Sequence, residues 1–96
     1  MSYEIRHNEA ESQFETTVEG QVAIAAYDLE EPNRIVFTHT NVPDSLSGRG
    51  IAAAIVKHAL DHAREQKLTV VPQCSYVAAF IKRHEEYRDL LHDPSS

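Results

Sequence analysis

The sequence predicts a small α+β domain in which four antiparallel strands precede a helix, a fifth strand and a second helix. Up to residue 40 the apolar residues recur mainly at every second position or in short β-branched runs, as in strands. From residue 50 they recur at intervals of three and four, which is typical of an amphipathic helix. A chain of 96 residues can build one hydrophobic core but not two. We therefore expect one domain over residues 1–92, followed by a polar tail at 93–96.

Four strands are predicted in the first part of the chain, at residues 3–7, 14–18, 21–29 and 34–40. The first two alternate apolar and polar side chains, and the fourth is rich in β-branched residues. The third is apolar on both faces, which favours a central strand that is covered on both sides. The turn Glu19-Gly20 predicts a hairpin between the second and third strands. Because the links are short, the four strands are expected to form an antiparallel meander.

Two helical patterns with a short strand between them occupy the second part of the chain. The first helix is predicted over residues 50–66, with a buried stripe formed by Ala52, Ile55, Val56, Ala59, Leu60 and Ala63. Residues 68–71 form an apolar strand, the second helix covers 75–84, and 85–92 add a further turn or short helix. A strand–helix–strand connection of this length is expected to be right-handed, which makes the fourth and fifth strands parallel.

Charge and hydropathy exclude several function classes. Nine basic and fifteen acidic residues give a net charge of −6, which argues against nucleic acid or an anionic membrane as a partner. No apolar run approaches the ~20 residues that span a bilayer. The N-terminus lacks the apolar core of a signal peptide, and Cys74 is the single cysteine. The chain is therefore expected to be cytoplasmic, and a monomer is compatible with its composition.

Gly48 and Gly50 lie directly before the first predicted helix. Unpaired backbone N–H groups converge at a helix N-terminus, where the helix dipole also favours an anion. Glycine lets a ligand approach the backbone closely, and Arg49 adds a positive charge between the two glycines. This pattern predicts a phosphate or pyrophosphate site over residues 46–53. The alternative is purely structural, with a residue such as Ser47 capping the helix and Gly50 forming a tight turn.

Two well-known phosphate motifs do not fit this segment. The P-loop requires Lys-Ser or Lys-Thr after its second glycine, and neither pair follows Gly50. The dinucleotide pattern G-x-G-x-x-A matches residues 48–53, but it requires an acidic residue about 20 positions further on. That region here is Val71-Pro-Gln-Cys, and the preceding strands are predicted to be antiparallel.

The segment resembles the coenzyme A loop of the GNAT acetyltransferase superfamily, whose pattern is Gln/Arg-x-x-Gly-x-Gly/Ala. Gly50 and Ala52 match, whereas Ser47 replaces the usual Gln or Arg, so the main-chain donors are retained without that side chain. Longer stretches resemble the small, single-domain GNAT-like family of predicted acetyltransferases, and the resemblance covers residues 14–90. These stretches are His39-Thr-Asn-Val-Pro, Leu46-Ser-Gly-Arg-Gly-Ile-Ala, Val71-Pro-Gln-Cys-Ser-Tyr-Val and Ile81-Lys-Arg-His-Glu-Glu-Tyr.

The resemblance implies a minimal GNAT-like fold with splayed fourth and fifth strands, acetyl-CoA as cosubstrate and an amine as acceptor. Main-chain groups of Asn41 and Val42 would pair with the pantetheine arm. The pyrophosphate would lie on the loop, which comprises Ser47, Gly48, Arg49, Gly50, Ile51 and Ala52. Larger relatives shape their acceptor site with helices for which residues 8–12 are too short, so an open acceptor site is expected. The acidic balance favours a cationic or amine-bearing acceptor.

The acid of the reaction is not at its usual place in this sequence. Members of the superfamily often use a tyrosine on the second helix to protonate the leaving thiolate. That position falls at Phe80 or Ile81, and neither side chain can donate a proton. Tyr76 and Tyr87 are the candidate substitutes. The alternative function is a coenzyme A-binding module with little or no catalysis.

Cys74 and His39 are the other candidates for catalysis. Cys74 is expected where the fifth strand meets the second helix, at the thioester end of the implied cleft. A helix N-terminus favours the thiolate, so Cys74 could accept the acetyl group and pass it on, or it could simply be a small packed residue. His39, near the end of the fourth strand, is the candidate base because histidine titrates near neutral pH. The alternative for His39 is a hydrogen bond to a neighbouring carbonyl group.

His58 and His62 stand four residues apart on the first predicted helix, a spacing that can bind a metal ion. The motif H-E-x-x-H would require glutamate at the position that Ala59 occupies, and no third ligand is evident. No metal site is therefore predicted, and the two histidines are expected to lie on a solvated face of the helix.

Overall fold

The computed structural model describes residues 3–91, and the order of its elements confirms the predicted α+β fold. The strands are β1 (Arg6–Asn8), β2 (Gln13–Val18), β3 (Gln21–Glu30), β4 (Arg34–Asn41) and β5 (Thr69–Pro72). The helices are α1 (Ile51–Glu65) and α2 (Ser75–Arg83), with 3₁₀ segments at Asp44–Leu46 and Glu85–Leu91. Within residues 3–91, no helix is both long and apolar enough to cross a membrane. The predicted tail at 93–96 lies outside the described residues.

A single five-stranded sheet in the order β1-β2-β3-β4-β5 forms the frame of the domain. The first four strands pair antiparallel and β4 pairs parallel with β5, as predicted. The parallel pairing ends at Phe37 and Pro72, whereas β4 continues to Asn41. The two strands therefore separate beyond Phe37, which confirms the expected splay.

A bulge interrupts the pairing of β3 with β4. Tyr27 pairs with Phe37, but the preceding residue of β3, Ala26, pairs with His39. Thr38 is therefore the extra residue of β4, and its hydroxyl donates to the carbonyl oxygen of Ala26 at 3.4 Å. A bulge of this kind changes the direction of the side chains that follow it.

Both helices pack around one hydrophobic core on the same face of the sheet. The stripe predicted on α1 is buried except at Ala52, which is half-buried. Each large apolar side chain that is buried contributes about 1.5–3 kcal/mol to the stability of the fold. These contacts fix where the N-terminus of α1 lies relative to β4. The largest fully buried apolar side chains include Phe14, Phe37, Ile35, Leu46, Ile51, Ile55, Leu60 and Ile81.

The other face of the sheet is largely uncovered in the described part of the chain. Along β3, Ala23, Ala25 and Tyr27 are buried in the core, whereas Val22, which points to the other face, is 46% exposed. Ile24 is also only half-buried. The prediction that β3 is covered on both sides is therefore wrong. Its two apolar faces do not indicate two covering layers, because both helices lie on one side.

The N-terminal segment enters the sheet later than predicted, at Arg6 rather than at Tyr3. Two hydrogen bonds explain this difference. The Thr16 hydroxyl donates to the carbonyl oxygen of Glu4 at 2.7 Å, and the Tyr3 hydroxyl donates to the carbonyl oxygen of Arg49 at 2.8 Å. The segment before β1 therefore runs from the sheet to the loop that precedes α1.

Candidate functional site

The loop between β4 and α1 has a backbone that requires its two glycines. Gly48 and Gly50 have φ angles of 82° and 74°, in the left-handed region that glycine adopts readily. Gly50 is the residue immediately before α1, and its carbonyl oxygen accepts the first hydrogen bond of the helix, from the Ala54 N–H at 3.1 Å. Within residues 3–91, no main-chain acceptor takes the N–H groups of residues 48–53. These donors are free to bind an anion.

A hollow of about 230 Å³ lies beside these N–H groups. It is lined by the start of α1, by Val42 directly after β4 and by Tyr76, which belongs to the first turn of α2. Six of the eight predicted cofactor-binding residues line it, and Asn41 and Arg49 do not. The full lining is Val42, Leu46, Ser47, Gly48, Gly50, Ile51, Ala52, Ala53 and Tyr76.

The side chain of Arg49 is turned away from this hollow. Its guanidinium group lies 2.6 Å from the carboxylate of Glu19, in the turn between β2 and β3. The hydrogen bond from Arg49 lowers the pKa of the Glu19 carboxyl group. Arg49 and Tyr3 instead line a second hollow of about 430 Å³, which Gly50 also lines. A role for Arg49 in binding phosphate would require it to leave Glu19.

Cys74 lies between β5 and α2, where the sequence predicted it, and its side chain is 8% exposed. Its N–H donates to the carbonyl oxygen of Phe37 at 2.8 Å, and Phe37 is the last residue of β4 that pairs with β5. The Thr40 hydroxyl lies 3.3 Å from Sγ of Cys74. Burial raises the pKa of this thiol, but the Thr40 hydroxyl and the N–H groups of Val77 and Tyr76 lower it by more. The net shift of the pKa is downward, which favours the thiolate.

Thr40 is a site residue that sequence reasoning missed. It stands 34 positions from Cys74, so no local pattern links the two. The available signal was the predicted parallel pairing of the fourth and fifth strands, which brings their carboxyl ends together.

His39 does not contact Cys74 in this structure. It pairs with Ala26, whose side chain faces away from the core, whereas Thr40 pairs with Ala25 on the core face. The side chain of His39 is exposed, and its Nδ1 lies 3.5 Å from the Thr38 hydroxyl. His39 and the thiol of Cys74 therefore belong to opposite faces of β4.

The two candidate tyrosines have different surroundings. Tyr76 is 38% exposed and lines the 230 Å³ hollow. Tyr87 is 4% exposed, and its hydroxyl donates to the Asp61 carboxylate at 2.7 Å. Burial and this carboxylate raise the pKa of Tyr87. The Tyr87 hydroxyl thus holds the Glu85–Leu91 segment against α1. Of the two candidate tyrosines, Tyr76 is the one that lines the candidate site. Phe80 and Ile81, at the usual position of the acid, are both buried apolar side chains of the core.

His62 is not on a solvated face, contrary to the prediction. Its ring meets the His7 ring at a centroid distance of 4.6 Å and the Phe14 ring at 5.4 Å. His58 is exposed, as predicted, and has its ring 5.9 Å from that of Phe14. Among residues 3–91, no three histidine, cysteine, aspartate or glutamate side chains gather closely enough to hold a metal ion.

Comparison with known proteins identifies the family. The family model described as GCN5-related N-acetyl-transferase matches residues 13–90, which is most of the chain. The protein belongs to this family. The match includes the loop with Gly48 and Gly50, the end of β4 and the junction at Cys74. The resemblance inferred from the sequence is confirmed.

Individual proteins resemble the chain along most of its length. The chain is 32% identical over 82 residues to Protein NATD1 of Bos taurus, covering 83% of this chain and 73% of that protein. It is 29% identical over 85 residues to Protein NATD1 of Xenopus tropicalis, covering 86% and 78%. An NMR structure of a GCN5-like predicted N-acetyltransferase from Staphylococcus aureus superimposes with a TM-score of 0.73 at 27% identity, covering 93% of this chain and 87% of that one.

Proposed function

We propose that the protein transfers the acetyl group of acetyl-CoA to an amine acceptor. The observation that carries this proposal is the group of unpaired N–H groups at residues 48–53 beside a 230 Å³ hollow, in a chain of this family. A diphosphate is the anion that suits several converging N–H donors at a helix N-terminus. Tyr76 also lines the hollow, and its ring offers the cofactor an apolar surface.

The end of β4 supports the placement of the pantetheine arm. Beyond Phe37, β4 has no β5 partner, so one edge of residues 38–41 offers main-chain donors and acceptors. The amide groups of the pantetheine arm have the same hydrogen-bonding pattern as a peptide, and they can pair with this edge as an added strand would. Val42 then contacts the arm where it enters the hollow, which matches the residues predicted from the family resemblance.

Cys74 is the proposed nucleophile of a two-step reaction. Its thiolate attacks the acetyl carbonyl carbon, the bond from that carbon to the coenzyme A sulfur breaks, and coenzyme A leaves and takes up a proton. A neutral amine then attacks the acetyl-Cys74 thioester, and the bond from the acetyl carbon to Sγ breaks to restore the thiolate. The Thr40 hydroxyl lies 3.3 Å from Sγ and can donate to the thiolate before the first step and after the second, which stabilises the charged sulfur.

His39 is the proposed base that takes the proton from the acceptor amine. Because His39 stands on the opposite face of β4 from the Cys74 thiol, the proton has to reach it through water, while the amine attacks on the face where Cys74 lies. Tyr76 is the proposed proton donor to the leaving coenzyme A sulfur, since its hydroxyl belongs to the side chain that lines the hollow. The net charge of −6 supports a cationic acceptor, because the field of the protein attracts it.

Intact-protein mass spectrometry after incubation with acetyl-CoA tests the two-step route. Wild-type protein should gain the mass of one acetyl group, located at Cys74 by peptide mapping, and lose it when an amine such as spermidine is added. Cys74→Ala should gain none and should turn over at least a hundredfold more slowly, by the usual contribution of nucleophilic residues. Cys74→Ala turning over at the parent rate would show direct transfer without a cysteine intermediate.

Calorimetry separates the enzyme from the coenzyme A-binding module. Both functions require binding heat with coenzyme A and a higher melting temperature in its presence, because a ligand that binds only the native state stabilises it. A protein that binds coenzyme A but acetylates no member of a panel of polyamines, lysine peptides and aminoglycosides is the binding module. The absence of binding heat with wild-type protein would overturn both.

A further inference from the structure

Tyr3 reaches the proposed cofactor loop from the N-terminal segment. Its hydroxyl donates to the carbonyl oxygen of Arg49, 46 positions further along the chain, at 2.8 Å. The Tyr3 side chain also packs against the hydrophobic core, which holds its ring in place. This contact therefore anchors the loop to a part of the structure that lies outside it.

The carbonyl group of Arg49 and the N–H group of Gly50 belong to one peptide unit. In a planar trans peptide the two groups point in opposite directions. The Tyr3 hydroxyl on the Arg49 carbonyl therefore turns the Gly50 N–H away from Tyr3. Gly50 lines two hollows: Tyr3 and Arg49 line one of them, and the remaining loop residues line the other.

We propose that Tyr3 is a positioning residue that aims the Gly50 N–H into the cofactor hollow, where it donates to the diphosphate of acetyl-CoA. This inference rests on the proposed function. An anchor is needed because Gly48 and Gly50 tolerate both left-handed and right-handed backbone, so the peptide between Arg49 and Gly50 can flip at little cost. The ion pair of Arg49 with Glu19 holds the side chain but leaves the peptide free to rotate.

Tyr3→Phe removes the hydroxyl and keeps the ring in the core. Calorimetry should show the Kd for coenzyme A rising roughly three- to tenfold, the range expected for one hydrogen bond. The KM for acetyl-CoA should rise by a similar factor, whereas kcat should stay at the wild-type value because the reacting groups are untouched. The amide resonance of Gly50 in a ¹⁵N spectrum should shift on coenzyme A binding in wild-type protein and shift less in Tyr3→Phe.

Thr16→Val is the matched control. The Thr16 hydroxyl anchors the same N-terminal segment through the carbonyl oxygen of Glu4, but it has no contact with the loop. A loss of affinity that came only from loosening the segment would appear equally in Thr16→Val. The inference requires Thr16→Val to bind coenzyme A like the wild type.

S-acetylpantetheine provides the second control, because it carries the acetyl arm without the diphosphate. Tyr3→Phe and the wild type should use it at the same rate. Equal affinity of Tyr3→Phe and wild type for coenzyme A, or an equal loss with both acetyl donors, would overturn the role of Tyr3 and leave the proposed function standing. Wild-type protein that binds no coenzyme A would overturn the proposed function itself.

Discussion

The hydroxyl of Thr40 lies 3.3 Å from the sulfur of Cys74, across the gap where β4 and β5 separate. This contact joins the end of β4, which pairs with β3 but has no β5 partner, to the residue before α2. It is one of the interactions that lower the pKa of the thiol against the opposing effect of burial. Either group can be the donor in this contact, and when the hydroxyl donates it stabilises the thiolate form of Cys74.

Thr40→Val should raise the pKa of Cys74, because valine keeps the shape of threonine and removes the hydroxyl. The pH at which iodoacetamide reacts at half its maximal rate should move upward relative to wild type. Thr38→Val is the matched control, since the Thr38 hydroxyl donates to the carbonyl oxygen of Ala26 and is not part of the Cys74 contact. Identical reaction profiles for Thr40→Val and wild type would show that Thr40 does not set the reactivity of the thiol.

Tyr76→Phe should lower kcat, whereas Tyr87→Phe should lower stability. Tyr87→Phe removes a buried hydrogen bond to the Asp61 carboxylate and should lower the free energy of unfolding by about 1–2 kcal/mol, with little change in kcat. Tyr76→Phe should leave stability within about 0.5 kcal/mol and lower kcat, since Tyr76 lines the cofactor hollow. Urea unfolding and steady-state kinetics on both variants check this, and a loss of kcat in Tyr87→Phe alone would reassign the acid.

Gly50→Ala should destabilise the fold through its backbone rather than through a clash. The φ angle of 74° disfavours alanine by about 1–2 kcal/mol, whereas a Cβ atom added there meets nothing within 4 Å. Gly50→Asn should recover part of the loss, because asparagine tolerates the left-handed region better than alanine. Denaturant titration of the two variants measures the difference. Equal stability of Gly50→Ala and wild type would mean that the loop adopts another backbone in solution.

Stability should fall as the pH drops from about 7.5 to 5.5, and His7 should account for part of the loss. Burial lowers the pKa of His7, and the nearby His62 and His58 lower it further, against the opposing effect of Glu9. The unfolded chain therefore binds a proton more readily than the folded one, so stability is lost once the pH falls below about 6.5. Protonation also disturbs the 2.5 Å contact between Nε2 of His7 and the Tyr27 hydroxyl.

His7→Phe measures this contribution, because phenylalanine keeps the stacking on Phe14, at a centroid distance of 4.2 Å in wild type, and does not titrate. Its free energy of unfolding should change less with pH over the same interval. The carboxylates of Asp61 and Asp89 also have lowered pKa values, but their contribution is lost only below about pH 4, outside this interval. Parallel pH profiles for His7→Phe and wild type would exclude His7 as the source.

Most of the fold could be predicted because its signals are local. The alternation in residues 14–18 and the helical stripe from Ile55 to Ala63 each lie within one element, and each was confirmed. The pairing of His7 with His62 could not be predicted, since it depends on how α1 lies across the sheet. A helical wheel places His62 beside polar neighbours and cannot show that β1 covers it.

In the candidate site, too, local features could be predicted from the sequence and long-range contacts could not. The two glycines and the junction at Cys74 were visible in the sequence, because a turn before a helix has a local signature. The contact of Tyr3 with Arg49 and that of Thr40 with Cys74 join residues far apart in the chain, and neither has a local signature. Predicting them requires the strand register, which short polar segments specify only weakly.

The extra residue at Thr38 decides which face of β4 each of the following side chains occupies. With the bulge, Thr40 is paired with Ala25 and His39 with Ala26. Deleting Thr38 would remove the bulge and leave His39 opposite Ala26 and Thr40 opposite Ala25. If Thr38 were kept and β4 paired regularly with β3 after Phe37, His39 would instead lie opposite Ala25, and Thr40 would point away from Cys74. One irregular residue thus sets Thr40 beside Cys74 on the core side of β4 and leaves His39 on the uncovered side.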